Sequence, residues 1–196
     1  MKWLNAWGCR QFSVEHHPIA SKALRAWGRA NLSLLPKAGV SLLGLADADL
    51  DQAVLAYDRL RSLQAGIRRG RSTEYTVTFG PTGAAKILYA LRPEAFPPWD
   101  EPIRAAFRLD GTGASFRKYL VRIQATLRGV VEEAGRHGIL PDQIAEAIGR
   151  PGASLPKLLD EFIWVTVTNE VRPPTKEQLV TWCRWAGGET VAPVDR

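Results

Sequence analysis

The chain reads as all-α, a mainly helical domain, on three observations. Apolar residues recur at helical spacing through most of its 196 residues. Only two stretches, "STEYTVTF" and "FIWVTVT", carry the β-branched enrichment of a strand. No internal repeat marks a solenoid or propeller. The length suits one ordinary domain. Seven tryptophans are spread from Trp3 to Trp185, so both termini are expected to pack. A single helical domain is expected over 1–187, with two lobes meeting near 80–110 and a tail at 188–196.

Residues 1–12 read as a short helix with Trp3, Leu4 and Trp7 on one side. Pro18 fits the first turn of the next helix, which continues through Leu24, Trp27, Asn31 and Leu34. Asp47 is the expected N-cap of a helix carrying Leu50, Val54, Tyr57 and Leu60, ending near Gly66. "GIRRGRSTEYTVTFG" reads as a basic loop followed by an extended segment without a strand partner. Helix resumes at Thr82 and runs to about Leu91. Pro93, Pro97 and Pro98 then force an extended connection to Asp100, which can cap a helix tolerating Pro102 in its first turn.

The longest helix is expected over 115–136, with a stripe of Phe116, Leu120, Ile123, Leu127, Val130 and Ala134. A short helix starts at Pro141 and Asp142. Another starts with Leu155, Leu158, Leu159 and Phe162. It runs into residues 162–168, where helix end and strand both remain open. A last helix covers 175–186.

Lysine and arginine exceed aspartate and glutamate to give a formal charge of +6 and a pI of about 9.6. A basic surface favours polyanions, so nucleic acid is the expected partner, with DNA the favoured kind. Two distant cysteines and three histidines make no ligand spacing. No metal site or cofactor is therefore expected. The N-terminus lacks a signal-peptide core, and no apolar run is long enough to span a bilayer. The expectation is a soluble cytoplasmic protein with reduced thiols and no membrane partner.

Four features carry possible chemistry. "GPTGAAK" is a glycine turn feeding a helix N-terminus, where unpaired N–H groups and the helix dipole suit phosphate. Gly80, Thr82 and Gly83 are its candidate contacts; the plainer role is a turn, a cap and close packing. Lys86 follows among apolar neighbours, as a snorkelling lysine or as an amine nucleophile if its site is dry. Asp100 in "FPPWDEPIR" is a helix cap, and a carboxylate able to orient water or stabilise a cationic sugar. Arg68, Arg69 and Arg71, with Arg104 beyond the loop, form a candidate grip on a nucleic-acid backbone.

In this order, the features from Gly80 to Arg104 resemble the helix-hairpin-helix DNA glycosylase superfamily. The resemblance implies a helix-hairpin-helix glycosylase-like, two-lobed helical fold. It implies that Gly80 and Gly83, here within G-P-T-G, stand where hairpin glycines bind backbone phosphate. Lys86 lies near the amine nucleophile of bifunctional members, and Asp100 matches the catalytic aspartate. Ile103 and Arg104 resemble the residues that follow it. The activity implied is excision of damaged bases by N-glycosidic bond cleavage. The alternative is a non-catalytic helical nucleic-acid-binding or regulatory protein in which Asp100 is only a cap.

Overall fold

The computed structural model describes residues 1–7, 9, 12–70 and 73–186, with the backbone alone at 185 and 186. The fold is mostly helical, as expected, with one small hairpin. The predicted tail at 188–196 lies outside the described residues.

Helix α1 (Lys2–Ala6) is half the length expected of it. It buries Leu4 but leaves Trp3 exposed. Helix α2 (His17–Asn31) has Pro18 in its first turn, as anticipated. Helix α3 (Asp47–Arg61) begins after Ala46, not after Asp47. The Asp49 carboxylate accepts the Ala46 N–H at 2.9 Å, and Asp47 reaches Arg117 instead.

The basic loop and unpartnered extended segment are corrected to a β-hairpin. Strand β1 (Gln64–Arg69) pairs antiparallel with β2 (Glu74–Thr78), bringing Arg68 opposite Tyr75 and Arg69 opposite Glu74. Gly66, read as a helix stop, is a buried strand residue. A Cβ there would lie 2.5 Å from Cγ of His16. That histidine is fixed by ring-nitrogen bonds to Ile67 O at 2.8 Å and Ser13 Oγ at 3.0 Å. Close approach, not chain reversal, is what this glycine serves.

Helix α4 (Gly80–Leu91) follows β2 directly and starts two residues before Thr82. Gly80 has φ +66°, a left-handed conformation that a Cβ would strain. Helix α5 (Glu101–Ala106) is capped by Asp100, whose carboxylate accepts the Ile103 N–H at 3.2 Å. Helix α6 (Gly113–Arg136) buries Phe116, Tyr119, Leu120, Ile123 and Leu127. Its stripe stops there, because Val130 is exposed where the helix runs past the core.

Helix α7 (Ile144–Ala147) is a single turn. Helix α8 (Leu155–Ile163) continues into a π-helical turn at Trp164–Thr168, so residues 162–168 are helical. Leu155 and Leu159 pack against the core. Pro156, Asp160 and Ile163 are buried and Phe162 is exposed. Helix α9 (Lys176–Ala186) leaves Leu179, Val180 and Trp182 exposed, so the expectation that tryptophans pack at both ends fails for Trp3 and Trp182.

One apolar core runs from Leu4 to Ile163. At its centre Trp99 stacks on Tyr119 at 5.3 Å, and Tyr57 on Phe116 at 4.1 Å. Such aromatic contacts add about 1 kcal/mol each beyond burial. The loop joining α4 to α5 is clamped on several sides. Leu42 N–H donates to Glu94 O at 2.8 Å, Ser154 Oγ to Pro93 O at 2.8 Å, and Tyr119 OH to Pro98 O at 3.0 Å. These bonds, with the buried Trp99, fix where Asp100 stands.

Candidate functional site

A cleft of about 760 Å³ opens between the N-termini of α4 and α5 on one side and α8 on the other. Gly80, Pro81 and Thr82 contribute the first turn of α4, with Lys86 one turn further on. Pro98, Asp100, Glu101 and Pro102 form the entrance to α5. Lys157, Asp160 and Glu161 come from α8, with Trp164 beyond them and Trp7 from the end of α1. The cleft thus brings together four residues singled out in the sequence: Gly80, Thr82, Lys86 and Asp100.

Asp100 uses Oδ1 for the cap. The neighbouring Trp99 indole is fully buried, and its N–H has no hydrogen-bond partner among the described residues. It does not close the carboxylate off. Asp100 is therefore both a cap and a cleft residue. Lys86 is buried, donates to Trp7 O, and holds its ammonium 5.2 Å from the Trp7 ring centre. The polar end lies in the wall of the cleft while the stem runs through the apolar face of α4.

Asp160 is only 6% exposed, yet it lines the cleft. Lys157 Nζ donates to its Oδ2 at 2.8 Å and lies 3.8 Å from Glu161. Glu161 is also bound by Arg150 at 2.7 Å. Burial pushes the Asp160 carboxyl above the usual carboxylate range. Lys157 opposes this, and the negative charges of Asp100 and Glu161 add to it. The Tyr119 hydroxyl behind the cleft is pushed up as well, chiefly by burial.

Other expected site residues do not join the cleft. Gly83 is buried in α4 and does not line the cleft. Arg104 pins α5 to α4: its Nη1 donates to Thr82 Oγ1 at 3.0 Å and Trp99 O at 3.2 Å, and its guanidinium stacks over Trp99 at 5.6 Å. That is an internal bracket, not a free cation for DNA. Arg68 and Arg69 stand on β1 and do not line the cleft. Arg69 pairs with Glu74 at 3.0 Å, both well exposed. Arg71 lies outside the described residues.

The cleft residues that sequence reasoning missed are Lys157, Asp160, Glu161, Trp7 and Trp164. Their signal was weak. The charged residues of α8 look like an ordinary solvated face, and Trp7 looks like core. Among the described residues, no group of three or more His, Cys, Asp or Glu side chains could hold a metal ion. Among them also, no helix is long and apolar enough to cross a membrane. No family model, curated protein or solved structure matches this chain.

Chemically, the cleft sets two lysines against four carboxyl groups, with the indoles of Trp7 and Trp164 also in the lining. Its volume is that of a small-molecule site. The charge balance would repel a phosphate backbone from the interior. A flat, neutral or cationic group suits it better, held against indole faces with carboxylates at its edge.

Proposed function

We propose that this chain binds nucleic acid and takes an extruded base into the cleft, cutting the N-glycosidic bond there. The supporting observation is the convergence of Gly80, Lys86 and Asp100, three of the residues marked by the glycosylase resemblance, on one clamped cleft that Thr82 also lines. In this reading Asp100 stabilises the cationic sugar as the bond breaks or directs water at C1′. Its carboxylate is held by the cap bond from Ile103 N–H and the preceding loop by its own contacts, which supplies the rigidity such a role needs. Lys86 contributes a fixed positive charge in the wall, since adding to a sugar carbon would require it to leave Trp7 O. The phosphates stay outside, at the mouth near Gly80 and on the basic hairpin.

The cap itself favours a second reading, a binding protein in which Asp100 is purely structural. Asp100→Asn separates the two. Asparagine keeps an oxygen acceptor, so the cap and the melting temperature should be nearly unchanged. It removes the negative charge, so base release should be abolished. The assay is a panel of duplexes bearing damaged bases, followed by alkaline cleavage of abasic sites. Full activity in Asp100→Asn removes the catalytic assignment. A parent protein inert on every duplex leaves the binding reading.

A further inference from the structure

We propose that Asp160 is the proton donor to the departing base, acting across the cleft from Asp100; this rests on the base-excision reading above. The two carboxyl groups share one cleft in unlike settings. Asp100 stands at the start of α5 and accepts a backbone N–H. Asp160 is sunk in the inward face of α8 and, among the described residues, pairs with one cation, Lys157, which also leans toward Glu161. Carboxyl pairs whose surroundings differ in this way divide acid and base roles.

The charged and titratable groups facing Asp160 come from several elements. Lys157 and Glu161 lie on its own helix, Asp100 and Glu101 at the start of α5, Lys86 and Tyr89 on α4, and Tyr119 on α6. Arg150, beyond α7, is taken up by Glu161. Burial is the largest influence on Asp160 and acts to keep its proton on. A base filling the cleft would exclude more water and strengthen that effect.

The step balances as a hydrolysis. The bond from C1′ to the base nitrogen breaks, and its electron pair goes to the base. Asp160 transfers its proton to a ring nitrogen of the base, so a neutral base departs. Water adds its oxygen to C1′ and gives its proton to Asp100. Exchange with solvent then returns a proton to Asp160 and removes one from Asp100.

The test uses the full chain and two duplexes, one carrying the neutral lesion hypoxanthine and one carrying N7-methylguanine, which is already cationic and needs no donor. Asp160→Asn should slow release of hypoxanthine on the order of 10²- to 10⁴-fold and erase the alkaline fall of its pH profile. Release of N7-methylguanine should stay within about tenfold of the parent, since the leaving base requires no proton. Equal losses on both duplexes overturn the proposal, as does a parent that releases only the methylated base. If Asp160→Asn fails to fold, Lys157→Gln serves. Loss of the opposing cation should move the alkaline fall to higher pH, and an unmoved profile counts against Asp160. A carbon-13 titration of the Asp160 carboxyl reads the same point without activity: its midpoint should lie above the ordinary carboxylate range and drop in Asp100→Asn. An ordinary midpoint overturns the donor role even in an active enzyme. A parent that releases no base at all overturns the base-excision reading, and the donor role with it.

Discussion

Asp110 shows how a single exposed carboxylate can report on the fold. It sits before α6, where Oδ1 accepts Thr112 N–H at 2.9 Å and the Thr112 hydroxyl at 2.5 Å. Bonds to the Ser115 and Thr112 side chains hold its carboxyl down at about 2. A lowered folded pKa gives stability that is complete above the unfolded value near 3.8 and is lost as pH falls toward about 2. Asp110→Asn should therefore flatten the acid limb of a melting-temperature profile between those values and lower the melting temperature at neutral pH, where the ionised group's contribution is complete. Asp160 has the opposite sign. Its raised pKa favours the folded chain at low pH, and that contribution is lost as pH rises through the folded value. At this scale the sequence exposed Lys86 and Asp100 because glycine and proline punctuate the chain on either side of them. Asp160 stayed hidden, since charged residues are almost never fully buried unless paired, and its partner Lys157 is local to the same helix.

Among the elements, two of the three glycines of α6 should respond in opposite ways. Gly113 opens the helix, and its N–H donates to Asp58 Oδ1 at 3.0 Å. A Cβ there would lie 2.0 Å from Asp58 Oδ2 and 2.9 Å from Val54 Cγ1. Asp58 also accepts from Arg61, so it cannot withdraw without giving up bonds to both. Gly113→Ala should cost about 1–3 kcal/mol by forcing α3 and α6 apart. Gly129 lies mid-helix with nothing near its missing Cβ, so Gly129→Ala should add about 0.5–1 kcal/mol of stability. Denaturant melts of the two variants check both signs. The helices were largely legible because their stripes and caps are local, as at α5. The hairpin was not, since Gly66 reads as punctuation until His16, 50 positions earlier, is seen against it. The burial of Asp160 on α8 was not legible for a related reason. Leu155, Leu158, Leu159 and Phe162 make the apolar stripe, and Leu155 and Leu159 pack against the core, but Pro156, Asp160 and Ile163 are more deeply buried.

For the whole molecule, the question is where a net charge of +6 can meet a polyanion when the cleft lining holds more carboxyl groups than lysines. Much of the positive charge is already matched. Arg117 binds Asp47 and Asp51, Arg136 binds Glu132 and Glu133, and Arg150 binds Glu161. Arg104 and Arg92 point into the fold, onto Thr82 and Pro36 O respectively. The hairpin keeps Arg68 and Arg69 on one strand. The exposed pair of Arg69 with Glu74 is worth little in water and can yield to phosphate. On the proposed function, binding to duplex DNA should therefore weaken steeply with salt. Changing Arg68 and Arg69 together to Ala should lower affinity about equally for all sequences. The slope of log K against log salt should shrink by about 2, near 0.9 for each phosphate that an arginine no longer neutralises. The cleft should be untouched by this change, because neither arginine lines it. A fluorescence-anisotropy titration at several salt concentrations measures the slope. If the double variant binds with the affinity and slope of the parent, the hairpin is not the binding surface, and the charge that holds nucleic acid must lie on another face.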